Sequence, residues 1–180
     1  MPTVYLSPST QEFNPYYDGV GNEEYYMNLI VDAMIPYLDA SGIRWLRNAT
    51  SDTALTSAQA SNAAGADLHV AIHSNAAPES LAGQLQGTDV YYYTTSAEGR
   101  RAAEIFANNL KLIYPMPDKV QARPTTSLAE LRRTIAPSVL IELAYHDNRD
   151  DANWIRNNIR DIARNLSLSI ADYFAVPFEG

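Results

Sequence analysis

Residues 65–76, Gly-Ala-Asp-Leu-His-Val-Ala-Ile-His-Ser-Asn-Ala, restrict the fold more than any other stretch of this 180-residue chain. Leu68 to Ile72 is a short, nearly continuous apolar run. A strand of that kind needs cover on both faces, which is the habit of parallel sheets. A histidine, His73, stands where the apolar character stops. In open α/β sheets, ligands and metals collect just beyond the carboxyl ends of strands. His73 is therefore a candidate functional residue.

The rest of the chain alternates in the same style. Short strands are expected at Thr3–Leu6, Ile43–Leu46, Leu68–Ile72, Asp89–Tyr93 and Val139–Leu143. Helices are expected at Glu23–Ala40, Ala54–Gly65, Glu98–Ile113 and Asp150–Tyr173, where apolar residues recur every three or four positions. Pro36 is expected to kink or weaken the first of them. Thr10–Asn22 and Pro115–Thr126 read as irregular, and Leu128–Arg132 as a short strand or edge segment. The alternation predicts an α/β fold: a single domain over 1–180, with a twisted, mostly parallel sheet flanked by helices on both faces.

Composition narrows the function classes. A hydrophobic fraction of 46% suffices for a sizeable core, and 19% charged residues is not a disordered composition. The net charge of -8 argues against nucleic acid or an anionic membrane as the main partner. There is no cysteine, so thiolate metal sites, disulfides and cysteine nucleophiles are excluded together. No apolar run approaches the length of a membrane span, so no membrane insertion is expected, and no signal peptide is visible at the first residues.

There are three histidines: His69, His73 and His146. His69 and His73 are four apart, which on a strand separates them by roughly 13 Å, too far to share one ion. His73, at the polar end, is assigned to the site and His69 to a structural role. Glu142 interrupts the apolar run Val139-Leu140-Ile141-Glu142-Leu143. A carboxylate there needs a partner, a metal or a proton. It is a natural general base, because burial raises its pKa toward neutrality. An ion pair with Arg132 or Arg133 is the structural alternative. Glu24 opens the first long helix, where a favourable charge on the helix dipole would explain it equally well.

Together these segments resemble a family. Arg47, Asp52, Leu55, Asn62, Ala66-Asp67 and Ala71-Ile72-His73-Ser74-Asn75-Ala76 are similar to the middle of the zinc-dependent N-acetylmuramoyl-L-alanine amidases of the amidase_3 type. Gly87-Thr88-Asp89-Val90-Tyr91-Tyr92 resembles the family's G-x-E-V-Y-Y strand, and Pro137 through Asn148 its P-A-V-L-V-E-L-G-F-L-S-N segment. Glu24 through Asn28-Leu29 resembles its E-x-x-x-N-L helix start. The resemblance implies a peptidoglycan hydrolase that uses metal-activated water to cleave the amide between N-acetylmuramic acid and L-alanine. It implies Zn2+ as cofactor, Glu24 and His73 as metal ligands and Glu142 as catalytic glutamate. It also implies a muropeptide substrate and an extracellular or cell-envelope location.

The first metal-ligand motif departs from the family. Where the family reads D-P-G-H-G-G, this chain has Ser7-Pro8-Ser9-Thr10-Gln11-Glu12, with Thr10 near the histidine position. Gln11 or Glu12 could supply oxygen, Gln11 from the closer position. His146 could substitute from the far side or contact substrate, and loss of tight zinc binding is the third arrangement. Asn75 and Arg132 are candidate substrate contacts, against plain readings as a turn residue and a solvated edge. The alternative function is a non-catalytic peptidoglycan-binding module with a degenerate zinc site.

Overall fold

In the computed structural model, which describes residues 1–180, six strands form one sheet. They are β1 (Thr3–Pro8), β2 (Arg44–Arg47), β3 (Leu68–Asn75), β4 (Thr88–Tyr93), β5 (Val120–Thr125) and β6 (Ser138–Tyr145). The order is β2-β1-β3-β6-β4-β5. Neighbours run parallel except β4 and β6, which are antiparallel, so β4 and β5 point against the other four. Six helices accompany them: α1 (Glu23–Ala40), α2 (Ala54–Ala64), α3 (Ala97–Leu110) and α4 (Ala129–Arg133) between strands, and α5 (Arg149–Asn157) and α6 (Ile159–Phe174) after β6.

The pleat divides the strand residues between two unlike faces. Leu6, Val70, Ile72, Val90 and Ile141 enter the main core with Met27, Ile30 and Met34 of α1, Phe106 of α3, and Leu166 and Ile170 of α6. The opposite face carries Tyr5, His69, His73, Glu142 and Asp89, and it is covered by the smaller pair α2 and α4. There Ala71, Leu131 and Leu140 form a second, small apolar cluster. This polar face is where chemistry can sit. No helix is long and apolar enough to cross a membrane.

Three expectations change. The irregular stretch contains β5, an edge strand whose alternating polar residues Gln121 and Arg123 and whose Pro124 mask it, since proline is tolerated where one side has no partner. Leu128–Arg132 is not a strand; Leu131 anchors α4 to the sheet. The final helix divides at Asn158, whose backbone leaves helical geometry between α5 and α6. α1 runs from Glu23 to Ala40 as expected, with Pro36 inside it.

Candidate active site at the strand ends

The sheet register lines up a row of side chains. His73 lies opposite Glu142, and Glu142 opposite Asp89. Ser9, one residue past β1, is level with His73, because Pro8 pairs with Ile72. The loop between β1 and α1 folds over this row. Arg156 of α5 clamps it: its guanidinium binds Asp18 at 2.7 and 2.6 Å and the Val20 carbonyl at 2.6 Å. The same group lies 5.1 Å from the ring centre of Tyr16 and 5.3 Å from that of Tyr26. Gly21 is required at the end of the loop. Its φ is +73°, and a Cβ there would meet the Tyr26 ring at 2.6 Å.

The clamped loop delivers two amides and α1 delivers a carboxylate. His73 Nδ1 lies 2.9 Å from Glu23 Oε1 and 3.3 Å from Gln11 Nε2. Asn14 Nδ2 donates to Gln11 Oε1 at 3.1 Å and to Glu23 Oε2 at 2.8 Å. The Ser74 backbone N–H also points at Glu23 Oε1, at 3.4 Å. Glu23 is 1% exposed, so its charge survives only through these partners. Burial opposes that charge, but the hydrogen bond and charge of His73, with Asn14 and Ser9, bring its pKa below the ordinary carboxylate value. Burial likewise opposes a charged His73. The hydrogen bond to Glu23 and the charges of Glu142, Glu23 and Glu130 prevail, and its pKa is raised.

Glu142 has the opposite character. Its Oε2 is enclosed and has no hydrogen-bond partner. Burial pushes its pKa up to about 7; His73 pulls the other way, and Glu23 and Asp89 add to the rise. The expected alternative, a pair with Arg132 or Arg133, does not form: both arginines are exposed on α4, and neither makes an ion pair.

The remaining sequence candidates are placed as follows. Glu24 is displaced by its neighbour: it is half-buried, and only its backbone carbonyl is engaged, by Asn28. The carboxylate that meets His73 is Glu23. The helical stripe carried the signal, since Tyr26, Met27, Ile30 and Met34 stand three, four, seven and eleven residues after Glu23 and are all buried. His146 is 4% exposed, bonds Ser74 Oγ at 3.0 Å and stacks on Tyr16, so it buttresses the site and does not face substrate. Asn75 turns its side chain back to the Ala76 N–H, as a turn residue does. Arg132 is exposed on α4 and makes no ion pair, Glu12 is exposed, and the Thr10 hydroxyl is committed to the Asp52 carbonyl. Asn14 gave no sequence signal, being one polar residue within a polar loop.

The donor chemistry fits a cation. His73 Nδ1 cannot satisfy both neighbours: as N–H it suits Glu23 and opposes the Gln11 amide, and as a lone pair it does the reverse. A half-turn of the Gln11 amide would bring its oxygen toward His73 Nδ1, which lies 2.9 Å from Glu23 Oε1 and 3.3 Å from the amide nitrogen. The set is weaker than one built from His, Cys, Asp or Glu alone. No three His, Cys, Asp or Glu side chains converge, because the third member is an amide.

An open, mostly parallel sheet that holds an unpartnered carboxylate beside such a donor set at its strand ends is the framework of a hydrolase. The chain belongs to the Amidase_3 family, N-acetylmuramoyl-L-alanine amidase, whose model matches residues 15–172. It is 30% identical over 121 residues, 64% of its length, to the endolysin of Bacillus phage SPP1; the match spans 43% of that relative. Among solved structures, the N-acetylmuramoyl-L-alanine amidase AmiC2 of Nostoc punctiforme aligns with a TM-score of 0.81 at 21% identity, covering 97% of each chain. The CwlD amidase of Clostridioides difficile, solved with the GerS lipoprotein, aligns at 0.85 and 16% identity, covering 97% of this chain and 99% of that one. At these identities the structural matches establish the fold.

Proposed function

We propose that this chain is a metal-dependent peptidoglycan hydrolase that cleaves the amide between N-acetylmuramic acid and L-alanine, acting in the cell envelope or outside the cell. Family membership supports the reaction class. The observation that carries the mechanism is Glu142, whose Oε2 has no partner and which lies across the strand pair from His73. His73, Glu23 and Gln11 would hold the cation. When bound, Zn2+ supplies an acidified water and a Lewis acid for the carbonyl.

The chain's own residues do the rest. Glu23 lies 2.9 Å from His73 Nδ1 and brings a negative charge to the donor set. Asn14 restrains both Gln11 and Glu23, and the Arg156 clamp restrains the loop that carries Asn14. Glu142, with a pKa of about 7, exchanges a proton readily near neutrality. It takes the proton from the attacking water and returns it to the departing amine of L-alanine.

Turnover of purified muropeptides, followed by the appearance of free N-terminal alanine, tests this together with metal analysis. Near-stoichiometric zinc and release of alanine-terminated peptide are expected, with turnover falling about 10²–10⁴-fold in Glu142→Gln. Muropeptide binding without turnover, at any zinc supplementation, would establish a binding module instead.

A further inference from the structure

The row across the strand ends continues beyond His73 and Glu142 in both directions, into two cavities of different chemistry. On the β1 side lies a cavity of about 430 Å³ lined by Ser7, Ser9, Thr10, Asn48, Ser51 and Thr53 among others. It contains no lysine or arginine, and at its rim stands Phe13, 73% exposed. On the β4–β5 side lies a cavity of about 310 Å³ lined by Arg123, Lys119, Asp89, Gln121, Gln86 and Tyr145 among others. Asp89, the cross-strand neighbour of Glu142, forms one wall of this second cavity. From Ser9 through His73, Glu142 and Asp89 to Gln121 is four strand steps, roughly 19 Å at about 4.8 Å each.

An amide that joins a glycan to a peptide has two unlike arms. The glycan arm is a neutral polyol with apolar ring faces, and the peptide arm carries carboxylates. Beyond His73 at its inner end, the β1-side cavity offers hydroxyls and an exposed aromatic ring, and its other charged lining groups are the carboxylates of Asp52 and Glu130, so it suits a neutral sugar better than an anionic peptide. The β4–β5 cavity differs in carrying two cations, Arg123 and Lys119, beside the carboxylates of Asp89 and Asp118. Arg123 Nε is held 2.6 Å from Asp89 Oδ1, with the arginine side chain 49% exposed. Asp89 is Arg123's only ion-pair partner, so the other edge of the guanidinium stays available. That edge matches a carboxylate in geometry and charge.

We propose that substrate lies across the strand ends with fixed polarity: glycan in the hydroxyl-lined cavity beside Phe13, and stem peptide over Arg123, which takes a peptide carboxylate. This rests on the amidase reading above but needs no assumption about the metal. Phe13 and Arg123 lie outside the apolar core, so substitutions there take nothing from it; Arg123→Gln costs only the ion pair with Asp89.

The test compares N-acetylmuramoyl-L-alanyl-D-glutamate with the same compound bearing both carboxylates as amides. The wild type is expected to favour the acid through KM by about tenfold, and Arg123→Gln to remove that preference. In parallel, calorimetry with tri-N-acetylchitotriose, a peptide-free sugar, should show binding weakened several-fold in Phe13→Ala, restored in Phe13→Trp and unaffected by Arg123→Gln. Preference for the acid persisting in Arg123→Gln, or sugar binding that depends on Arg123 and not on Phe13, would overturn the polarity. Should the wild type cleave neither compound, the amidase reading fails separately. The polarity is then decided by binding of the chitotriose and of the dipeptide L-alanyl-D-glutamate to the same two variants.

Discussion

Strand β3 carries two histidines on one face, and each meets one glutamate. His69 Nε2 lies 2.8 Å from Glu130 Oε1, and His73 Nδ1 lies 2.9 Å from Glu23 Oε1. The pairs are alike in chemistry and length but not in surroundings. His69 is fully enclosed and stacked on Tyr5 with ring centres 5.4 Å apart, and Glu130 holds it to the short helix α4. His73 opens into a cavity, shares its Nδ1 with a competing amide and faces a carboxylate that has no partner of its own. A histidine–glutamate pair is therefore not a site by itself. What marks the site is the excess of polar groups around the pair beyond those the pair can satisfy.

The largest effect expected from breaking this comparison is on stability. His69→Ala leaves Glu130 buried without its partner, a loss of about 3–5 kcal/mol in urea denaturation. Folded His69→Ala protein should keep its metal. His73→Ala should bind none, and it should lose less stability, because Glu23 retains Asn14 at 2.8 Å and the Ser74 N–H. Equal metal loss in the two variants would mean that the histidines are not functionally distinct.

Glu142 sharpens the contrast from the other side. Its folded pKa, about 7, lies above the ordinary 4.5. Its contribution to stability is therefore complete below pH 4.5 and lost as pH rises through about 7. In chelator-treated protein at pH 8, Glu142→Gln should be more stable than wild type by about 2–3 kcal/mol, and the gain should vanish below pH 4.5. The variant that removes activity would then strengthen the fold, as expected of a residue whose strain is kept for chemistry. A pH-independent difference would mean that Glu142 is not held at a cost.

Much of this was legible in the chain. The runs Leu68–Ile72 and Val139–Leu143 announced buried strands, and pairing them placed His73 beside Glu142. Gln11 came within reach of His73 because the loop after β1 leaves the sheet at that level. β5 was hidden because an edge strand need not be apolar, and α4 because five residues are too few to show a helical period. The choice between Glu23 and Glu24 is a rotation of about 100° around α1. The motif spacing favoured Glu24, while the buried stripe of α1 selects Glu23. His146 sits in a recognisable segment, yet its burial depends on Tyr16, a contact across 130 residues that no local pattern announces.

The smallest expected effect concerns Gln11, the one amide of the proposed donor set. Gln11 offers a neutral amide oxygen, and its amide is tied to Asn14 at 3.1 Å, so it must turn before it can donate that oxygen. Amide oxygen is a poorer zinc donor than imidazole nitrogen. Gln11→His removes both handicaps: the turn and the weaker donor. It should tighten zinc binding on the order of tenfold, about 1.4 kcal/mol, in competition with a chromogenic chelator. His69→Gln, made in the enclosed pair, should leave that affinity where it was. The loop clamp makes the comparison clean, because Arg156 holds Asp18 and Val20 whatever stands at position 11, so the loop is delivered to the same place in both proteins. Unchanged zinc affinity in Gln11→His would remove Gln11 from the donor set and leave His73 and Glu23 as a two-residue site.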